Sequence, residues 1–217
     1  MSSGYIHRNC GECLDILCCQ VCRRLCCKKP PPEKPEFSIL CVGLSKSGKS
    51  SVLCVLSGED VDAIEPTVGF SIKAVIMDNC ILNVKELGGG DSVRPYWDRY
   101  FQGSQAVIYM ISSCCSEEDL DVNKTEISKV ASHRSLRTLP LLVLITQEEK
   151  EGARSVDQIS QRLDLPSLSY KRSLIVRSCK TNDREGLRGA VENLCHELLK
   201  PEDTVAARAK GKESNQI

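Results

Sequence analysis

The segment GLSKSGKS, residues 43–50, constrains this chain more than any other part of its sequence. It matches the pattern G-x-x-x-x-G-K-[ST] at every fixed position, follows the apolar run Phe37–Val42 and precedes SVLCVL, which can begin a helix. The two glycines let backbone N–H groups turn inward around a phosphate, and the positive end of the following helix adds to the attraction. A chance turn is the alternative, but the flanking strand and helix favour a phosphate-binding loop.

The residues of this loop have distinct expected roles. Lys49 supplies a positive charge to the outer phosphates, and the Ser50 hydroxyl is a ligand for Mg²⁺. The other expected phosphate contacts come from the loop and the first helical turn, at Gly43, Leu44, Ser45, Lys46, Ser47, Gly48 and Ser51.

Five short apolar runs between residues 37 and 199 predict the strands of a sheet. They are FSILCVGL, CILNVKEL, QAVIYMIS, LPLLVLIT and SLIVRSC. Near-continuous runs rich in β-branched residues are typical of strands buried on both faces of a parallel sheet. In VIMDNCIL, Asp78-Asn79 between apolar residues predicts a hairpin, which adds an antiparallel edge strand.

Helical patterns separate several of these runs. One helix is expected to start at the cap residue Ser116, with Asp119 three positions later, and to run toward Val130. Another lies in REGLRGAVENLCHELL, where one stripe is apolar: Leu187, Val191, Leu194 and Leu198. Alternating strands and helices predict an α/β domain that is doubly wound around a mostly parallel sheet.

The chain divides into four regions. Residues 1–27 form a cysteine-rich arm, and residues 28–36, KKPPPEKPE, form an extended proline linker. Residues 37–199 form the α/β domain, and residues 200–217 form a polar tail that we expect to be disordered.

Composition excludes several classes of function. The formal net charge is zero, whereas nucleic-acid readers usually carry a basic surplus. No apolar segment approaches the roughly 18 residues of a membrane span, and the N-terminus lacks the pattern of a secretory signal. We therefore expect a cytosolic chain whose 14 cysteines are reduced thiols. Cys41, Cys54 and Cys80 lie in apolar runs and are predicted to be small core residues.

The cysteine-rich arm admits three interpretations. Two C-x-x-C pairs, at residues 10–13 and 19–22, are similar to half-sites for zinc. The arm also has the spacing of an amphipathic helix, which could simply pack on the domain. We favour S-palmitoylation and binding to a membrane surface, because adjacent thiols lie beside basic residues. The candidate thiols are Cys18, Cys19, Cys22, Cys26 and Cys27. Ser2 stands where N-myristoylation requires glycine, so that modification is excluded.

From Phe37 to Leu199 the order of parts resembles the ADP-ribosylation factor (Arf) family of small GTPases. The stretches that carry the resemblance are GLSKSGKS, PTVGF (66–70), ELGGGDSVRPYWDRYFQGSQAVIYM (86–110) and LPLLVLIT (139–146). The resemblance implies a six-stranded phosphate-loop GTPase fold, GTP and GDP as ligands, and Mg²⁺ as cofactor.

The resemblance also implies roles for individual residues. Thr67 matches the first-switch threonine that reaches Mg²⁺, and Gly89 matches the glycine whose N–H senses the γ-phosphate. Glu86 stands where the family has an aspartate that holds Mg²⁺ through water. Lys85 replaces an aromatic residue of the effector surface, which Phe70 and Tyr100 complete.

The departures from the family pattern concern hydrolysis and base recognition. Gly90 occupies the position of the glutamine that orients the attacking water, so intrinsic hydrolysis is expected to be very slow. In place of N-K-x-D the chain has Thr146, Gln147, Glu148 and Glu149, which predicts weaker and less selective guanine binding. In particular, Thr146 lacks the amide that braces the loop, and Gln147 lacks part of the apolar stem that covers the base. The last base loop is placed around Cys179 and Lys180.

Three functions remain open from the sequence. The favoured hypothesis is a GTP-binding switch, peripheral on intracellular membranes, that acts on effector and regulatory proteins. The alternatives are a scaffold that binds partners irrespective of nucleotide, and an active but slow hydrolase. The resemblance offers cyclin-M magnesium transporters as candidate partners, and we expect a monomer that does not bind nucleic acid.

Overall fold

The computed structural model of the chain describes residues 34–59, 67 and 69–200. Six strands form one sheet in the order β2-β3-β1-β4-β5-β6. They are β1 (Glu36–Val42), β2 (Phe70–Ile76), β3 (Ile81–Leu87), β4 (Ala106–Ser112), β5 (Leu141–Thr146) and β6 (Leu174–Ser178). The β2–β3 pair is antiparallel and the other pairs are parallel. The predicted mostly parallel six-stranded sheet with an antiparallel edge hairpin is therefore confirmed.

In the described residues, four α-helices flank the sheet: α1 (Lys49–Ser57), α2 (Glu117–Ser132), α3 (Val156–Leu163) and α4 (Arg184–Leu198). Ser116 caps α2 as predicted, because its side chain accepts a hydrogen bond from the Asp119 N–H. The short helix α3 was not predicted from the sequence, although Ser155 and Gln158 form a capping box at its start. Two 3-10 helices, Arg94–Tyr100 and Leu165–Ser169, were not predicted either.

Two apolar clusters hold the helices against opposite faces of the sheet. Under α1 and α4, the predicted stripe residues Leu187, Val191 and Leu194 are buried with β1 and β3 side chains. Leu198 packs at the edge of this cluster. The other cluster joins α2, α3 and the 3-10 helix Arg94–Tyr100 to β1, β4 and β5. Each fully buried aliphatic side chain contributes about 1.5–3 kcal/mol, so these faces account for much of the stability. The buried thiols of Cys41, Cys54 and Cys80 confirm their prediction as core residues.

The strand before the phosphate loop begins one residue earlier than predicted, because Glu36 already pairs with Ile81 of β3. The cysteine-rich arm, most of the proline linker and residues 201–217 of the predicted tail lie outside the described residues. In the portion that is described, no helix combines the length and apolar character needed to cross a membrane.

Candidate functional site

The predicted phosphate loop connects β1 to α1 at the carboxyl edge of the sheet. Gly43 and Gly48 adopt positive φ angles of 152° and 77°. A Cβ at Gly43 would lie 2.2 Å from the carbonyl oxygen of Met110, so this position accepts glycine alone. Among the described residues, no side chain caps the N-terminus of α1. The first N–H groups of the helix are therefore free to bind an anion.

The Lys49 side chain folds back into this loop and is 6% exposed. Its Nζ donates to the carbonyl oxygens of Gly43 at 2.9 Å and Leu44 at 2.8 Å, and to the Ser47 Oγ at 3.4 Å. Burial lowers the pKa of Lys49, and the nearby Cys41 and Glu86 act in the opposite direction. A buried ammonium held by neutral carbonyls has a strong electrostatic reason to pair with a phosphate.

Three predicted metal ligands from separate parts of the chain meet beside this lysine. The Ser50 Oγ donates to the Glu86 Oε1 at 2.6 Å and lies 3.2 Å from the Thr67 Oγ1. Thr67 donates to the same carboxylate oxygen at 3.3 Å, and Ser71 donates to the Glu86 Oε2 at 3.3 Å. Glu86 is 1% exposed, and these hydroxyls stabilise its buried carboxyl group. Mg²⁺ prefers hard oxygen ligands of this kind, so the residues present fit that ion.

The predicted γ-phosphate sensor, Gly89, lies directly against the phosphate loop. Its carbonyl oxygen accepts a hydrogen bond from the Ser45 N–H at 3.2 Å. A Cβ on Gly89 would lie 2.3 Å from the carbonyl carbon of Leu44 and 2.4 Å from the Ser45 nitrogen. The two loops are therefore in contact at a point where there is no room for a side chain.

Two residues that the sequence analysis did not assign to the site hold this glycine segment in place. The Trp97 Nε1 donates to the Gly88 carbonyl oxygen at 2.9 Å, and the Arg94 Nη1 donates to the Gly89 carbonyl oxygen at 3.4 Å. Both belong to the 3-10 helix Arg94–Tyr100. The sequence offered one signal for these two residues, which is that RPYW resembles the family pattern. Their contacts with the glycines depend on a 3-10 helix, whose period differs from that of an α-helix.

The position of the missing glutamine is open. A Cβ added at Gly90 would meet the Ser45 Oγ at 3.9 Å, an ordinary contact distance. A longer side chain at Gly90 is therefore sterically allowed next to the phosphate loop. If this position is that of the family's glutamine, as the resemblance implies, its space has not been taken by another described side chain.

Thr146 has no side-chain amide, as expected, but the structure shows that it still braces the loop after β5. Thr146 is fully buried, and its hydroxyl donates to the Ser47 carbonyl oxygen at 2.9 Å, with the Ile111 carbonyl oxygen at 3.3 Å. A hydroxyl on this short side chain reaches the backbone of the phosphate loop, so no amide is needed for the contact. Thr146 therefore couples the two loops.

Gln147 adds a second brace that the sequence analysis did not predict. Its backbone has a positive φ of 64°. Its Nε2 donates to the Lys46 carbonyl oxygen at 3.1 Å, and its Oε1 accepts a hydrogen bond from the Ser112 Oγ at 2.9 Å. The Gln147 side-chain amide therefore links the loop after β5 to the phosphate loop and to the end of β4. Both of its polar atoms are used in these structural contacts.

The remaining residues predicted to read the base lie beside one another at the end of β5 and β6. Glu148, Glu149 and Lys180 are exposed. Cys179 is buried, its N–H donates to the Ile145 carbonyl oxygen at 2.8 Å, and burial together with the two glutamates raises its thiol pKa to about 12. The thiol is therefore neutral at physiological pH, and the two exposed carboxylates are the acceptors available to a base.

Replacing Thr146 with valine is expected to destabilise the fold by about 1–3 kcal/mol, because the buried Ser47 carbonyl oxygen loses its partner while the side-chain volume stays similar. Nucleotide affinity should fall by up to about tenfold as the phosphate loop loosens. Urea unfolding and nucleotide titration measure the two effects. The matched control is Thr125→Val, which removes an exposed hydroxyl on α2. Equal effects from the two variants would show that Thr146 is not a brace.

The predicted effector residues form a surface at the β2–β3 edge. The rings of Phe70 and Tyr100 pack with centroids 5.2 Å apart. Lys85 lies on β3 directly opposite Ile72, two residues along β2 from Phe70. The three positions therefore share one face of the protein.

Comparisons with known proteins agree with this geometry. The profile of the ADP-ribosylation factor family matches residues 25–198. Human "ADP-ribosylation factor-like protein 15" is 44% identical over 195 residues, which cover 90% of this chain and 94% of that protein. "ADP-ribosylation factor-like protein 3" of Chlamydomonas reinhardtii is 35% identical over 160 residues, covering 74% of this chain and 89% of that protein.

A solved structure extends the agreement to the fold. It is the Arl6 BBS3 small GTPase from Trypanosoma brucei with the bound nucleotide analogue GppNp. It matches with a TM-score of 0.69 at 21% identity, and the match covers 75% of this chain and 97% of that chain. At this identity the similarity establishes a shared fold.

Proposed function

The chain belongs to the ADP-ribosylation factor family of small GTPases, and on that basis we propose that it is a GTP-binding regulatory switch with very slow intrinsic hydrolysis. The observation that carries the proposal is the meeting of Ser50, Thr67 and Glu86 beside the buried Lys49. These residues come from the phosphate loop, the first switch and β3, so one bound nucleotide would join all three.

The switch would work through loops that already touch. Gly89 lies against Ser45 of the phosphate loop, and Thr67 lies within hydrogen-bond distance of Ser50. A γ-phosphate that these groups bind would order both loops, and loss of that phosphate would release them. Bound Mg²⁺ supplies charge neutralisation for the phosphates. The surface of Phe70, Lys85 and Tyr100 would then present different geometries to effectors in the two states.

Slow hydrolysis follows from Gly90. In-line attack on a γ-phosphate requires a positioned water, and glycine has no side chain to orient one. Among the described residues, the one heavy atom within ordinary contact of a Cβ at Gly90 is the Ser45 Oγ. We therefore expect GTP to stay bound for a long time, until a partner protein promotes its hydrolysis or release.

Base selection is expected to be looser than in a chain with N-K-x-D. Gln147 is committed to the Lys46 carbonyl oxygen and Ser112, and Glu149 presents its carboxylate from an exposed loop on a longer arm than aspartate. A site gains base selectivity from closely placed hydrogen bonds, and a longer, freer acceptor weakens that discrimination.

We place the protein on intracellular membranes through its N-terminal arm. Support comes from the thiols Cys18, Cys19, Cys22, Cys26 and Cys27 next to basic residues. Effector and regulatory proteins are the expected partners, with cyclin-M magnesium transporters as candidates by resemblance.

Titration of the full-length chain with fluorescent GTP, GDP, ATP and XTP, with and without Mg²⁺, tests the proposal. Tight Mg²⁺-dependent binding of GTP and GDP is the expected result, with ATP and XTP discriminated less sharply than by a protein with N-K-x-D. Equal binding of all four would leave a phosphate site without base recognition. No binding at millimolar nucleotide would overturn the switch and favour a scaffold that binds partners irrespective of nucleotide.

A further inference from the structure

At the β2 edge, no helix among residues 34–59 and 69–200 covers one face of the sheet. Phe70, Ile72 and Ile76 are 49%, 59% and 61% exposed. They are alternate residues of one strand, so their side chains point to the same side of the sheet. Phe70 pairs with Leu87, which belongs to the cluster beneath α2 and α3, so this is the face that those helices cover further along the sheet. The helical layer stops before it reaches β2.

A positive charge lies in the middle of this apolar strip. Lys85 is half-buried and stands in register with Ile72 on one side and with Leu40 of β1 on the other. Within residues 34–59, 67 and 69–200, no group forms a hydrogen bond or an ion pair with the Lys85 side chain. The Glu36 carboxylate, at the start of β1, lies opposite Ile81 and accepts a hydrogen bond from the Asn83 amide at 3.0 Å. Lys85 is therefore available to a group from outside the domain.

The size of the strip fits a helix. The seven residues of β2 rise about 20 Å, which is the length of about 13 helical residues. Contiguous exposed apolar side chains of this kind mark binding surfaces. A partner that covers them also covers Lys85, and a buried unpaired ammonium is strongly destabilising. A partner that binds tightly must bring a negative charge to the centre of its apolar face.

We propose that this face binds an amphipathic helix of a partner protein, with apolar residues that cover Phe70, Ile72 and Ile76 and one carboxylate that pairs with Lys85. The inference rests on the proposed effector surface and adds the chemistry of its partner. Lys85 thereby selects among helices: those with a carboxylate at the centre bind, and those with a fully apolar or basic face are rejected.

Panning a phage-displayed library of random peptides of about 16 residues against the full-length chain loaded with a non-hydrolysable GTP analogue tests this. Enriched peptides should place apolar residues at three- and four-residue spacing around one Asp or Glu. Fluorescence anisotropy should show that Lys85→Glu weakens the best peptide by about tenfold or more, and that changing the peptide's acid to lysine restores binding to that variant. Ile72→Ser with Ile76→Ser should weaken it similarly.

The matched control is Lys171→Glu, an equal charge change at an exposed site just before β6, the other edge strand of the sheet. It should leave peptide binding unchanged. The inference is overturned if no peptide is enriched, if enriched peptides carry no acid, or if Lys85→Glu has the effect of the control. It is also overturned if sedimentation shows a dimer that Ile72→Ser dissociates, because a second copy would then cover the face.

The same preparation separates this inference from the proposed switch. Nucleotide binding without acid-dependent peptide binding contradicts the inference and leaves the switch standing. Acid-dependent peptide binding by a chain that binds no GTP supports the inference and contradicts the switch.

Discussion

Replacing Lys49 with alanine is expected to weaken binding of GTP and GDP by about 100-fold, equivalent to about 2.7 kcal/mol. The buried ammonium is held within the phosphate loop by the carbonyl oxygens of Gly43 and Leu44. From there it supplies a desolvated positive charge that no neighbouring side chain can replace, and charge-assisted contacts with phosphate are among the strongest hydrogen bonds in proteins. Isothermal titration with each nucleotide measures the loss.

The same Lys49→Ala substitution should not lower the stability of the nucleotide-free protein. Burial lowers the pKa of Lys49 in the folded state, so the unfolded chain binds this proton more tightly. The charged lysine therefore destabilises the nucleotide-free fold at neutral pH, and its removal should leave the melting temperature unchanged or higher. Nucleotide should raise the melting temperature of the wild type and have little effect on Lys49→Ala.

Lys46→Ala is the control for this substitution. Lys46 carries the same charge in the same loop, but its side chain is exposed, and in the described part of the chain its carbonyl oxygen accepts from Gln147. The phosphate contact expected of Lys46 would come from its backbone N–H, which alanine keeps. Removal of the Lys46 side chain should change nucleotide affinity by less than about threefold, since exposed charges contribute little. A Lys49→Ala variant that binds GTP as tightly as Lys46→Ala would show that the loop does not hold phosphate through Lys49.

Adding one methyl group at Gly89 is expected to have a far larger effect than adding one at Gly90. At Gly89 the new Cβ would lie 2.4 Å or less from backbone atoms of Gly43, Leu44 and Ser45, which cannot rotate away. Gly89→Ala should destabilise the fold by about 1–3 kcal/mol and reduce GTP affinity more than GDP affinity. Urea unfolding and paired titrations with the two nucleotides test both parts.

Gly90 provides the matched comparison, because the nearest heavy atom that a Cβ there would meet in the described part of the chain is the Ser45 Oγ at 3.9 Å. Gly90→Ala should change stability by less than about 0.5 kcal/mol. Gly90→Gln should raise the single-turnover rate of GTP hydrolysis by about tenfold, since an amide can orient water. Equal destabilisation by the two alanine variants would contradict the close contact at Gly89, and an unchanged rate in Gly90→Gln would show that another step limits hydrolysis.

The parts of the fold that could be predicted are those with local causes. The phosphate loop depends on glycines within the loop, and the cap of α2 depends on Ser116 and a backbone group three residues away. The 3-10 helix Arg94–Tyr100 was missed because its spacing matches neither the strand nor the α-helix period. Its consequence was missed as well: Trp97 fixes the carbonyl group of Gly88.

The candidate site was predictable as a set of residues and not as a set of contacts. The resemblance named Ser50, Thr67 and Glu86 one by one, and the structure brings their oxygens together. Ser71 and Ser112 carried no signal in the sequence, because a serine at a strand end is common and gains its role from what lies opposite.

The sequence by itself determined that a loop with the phosphate-loop pattern lies between a strand and a helix, that the sheet is mostly parallel, and that glycine occupies position 90, where the family resemblance implies glutamine. Tertiary structure alone decided how the altered base loop is held. Thr146 bonds to Ser47 across 99 positions and Gln147 bonds to Lys46 across 101. Contacts that distant in sequence exist because β1 and β5 end at the same edge of one sheet, on either side of β4, and no local pattern encodes which groups then face each other.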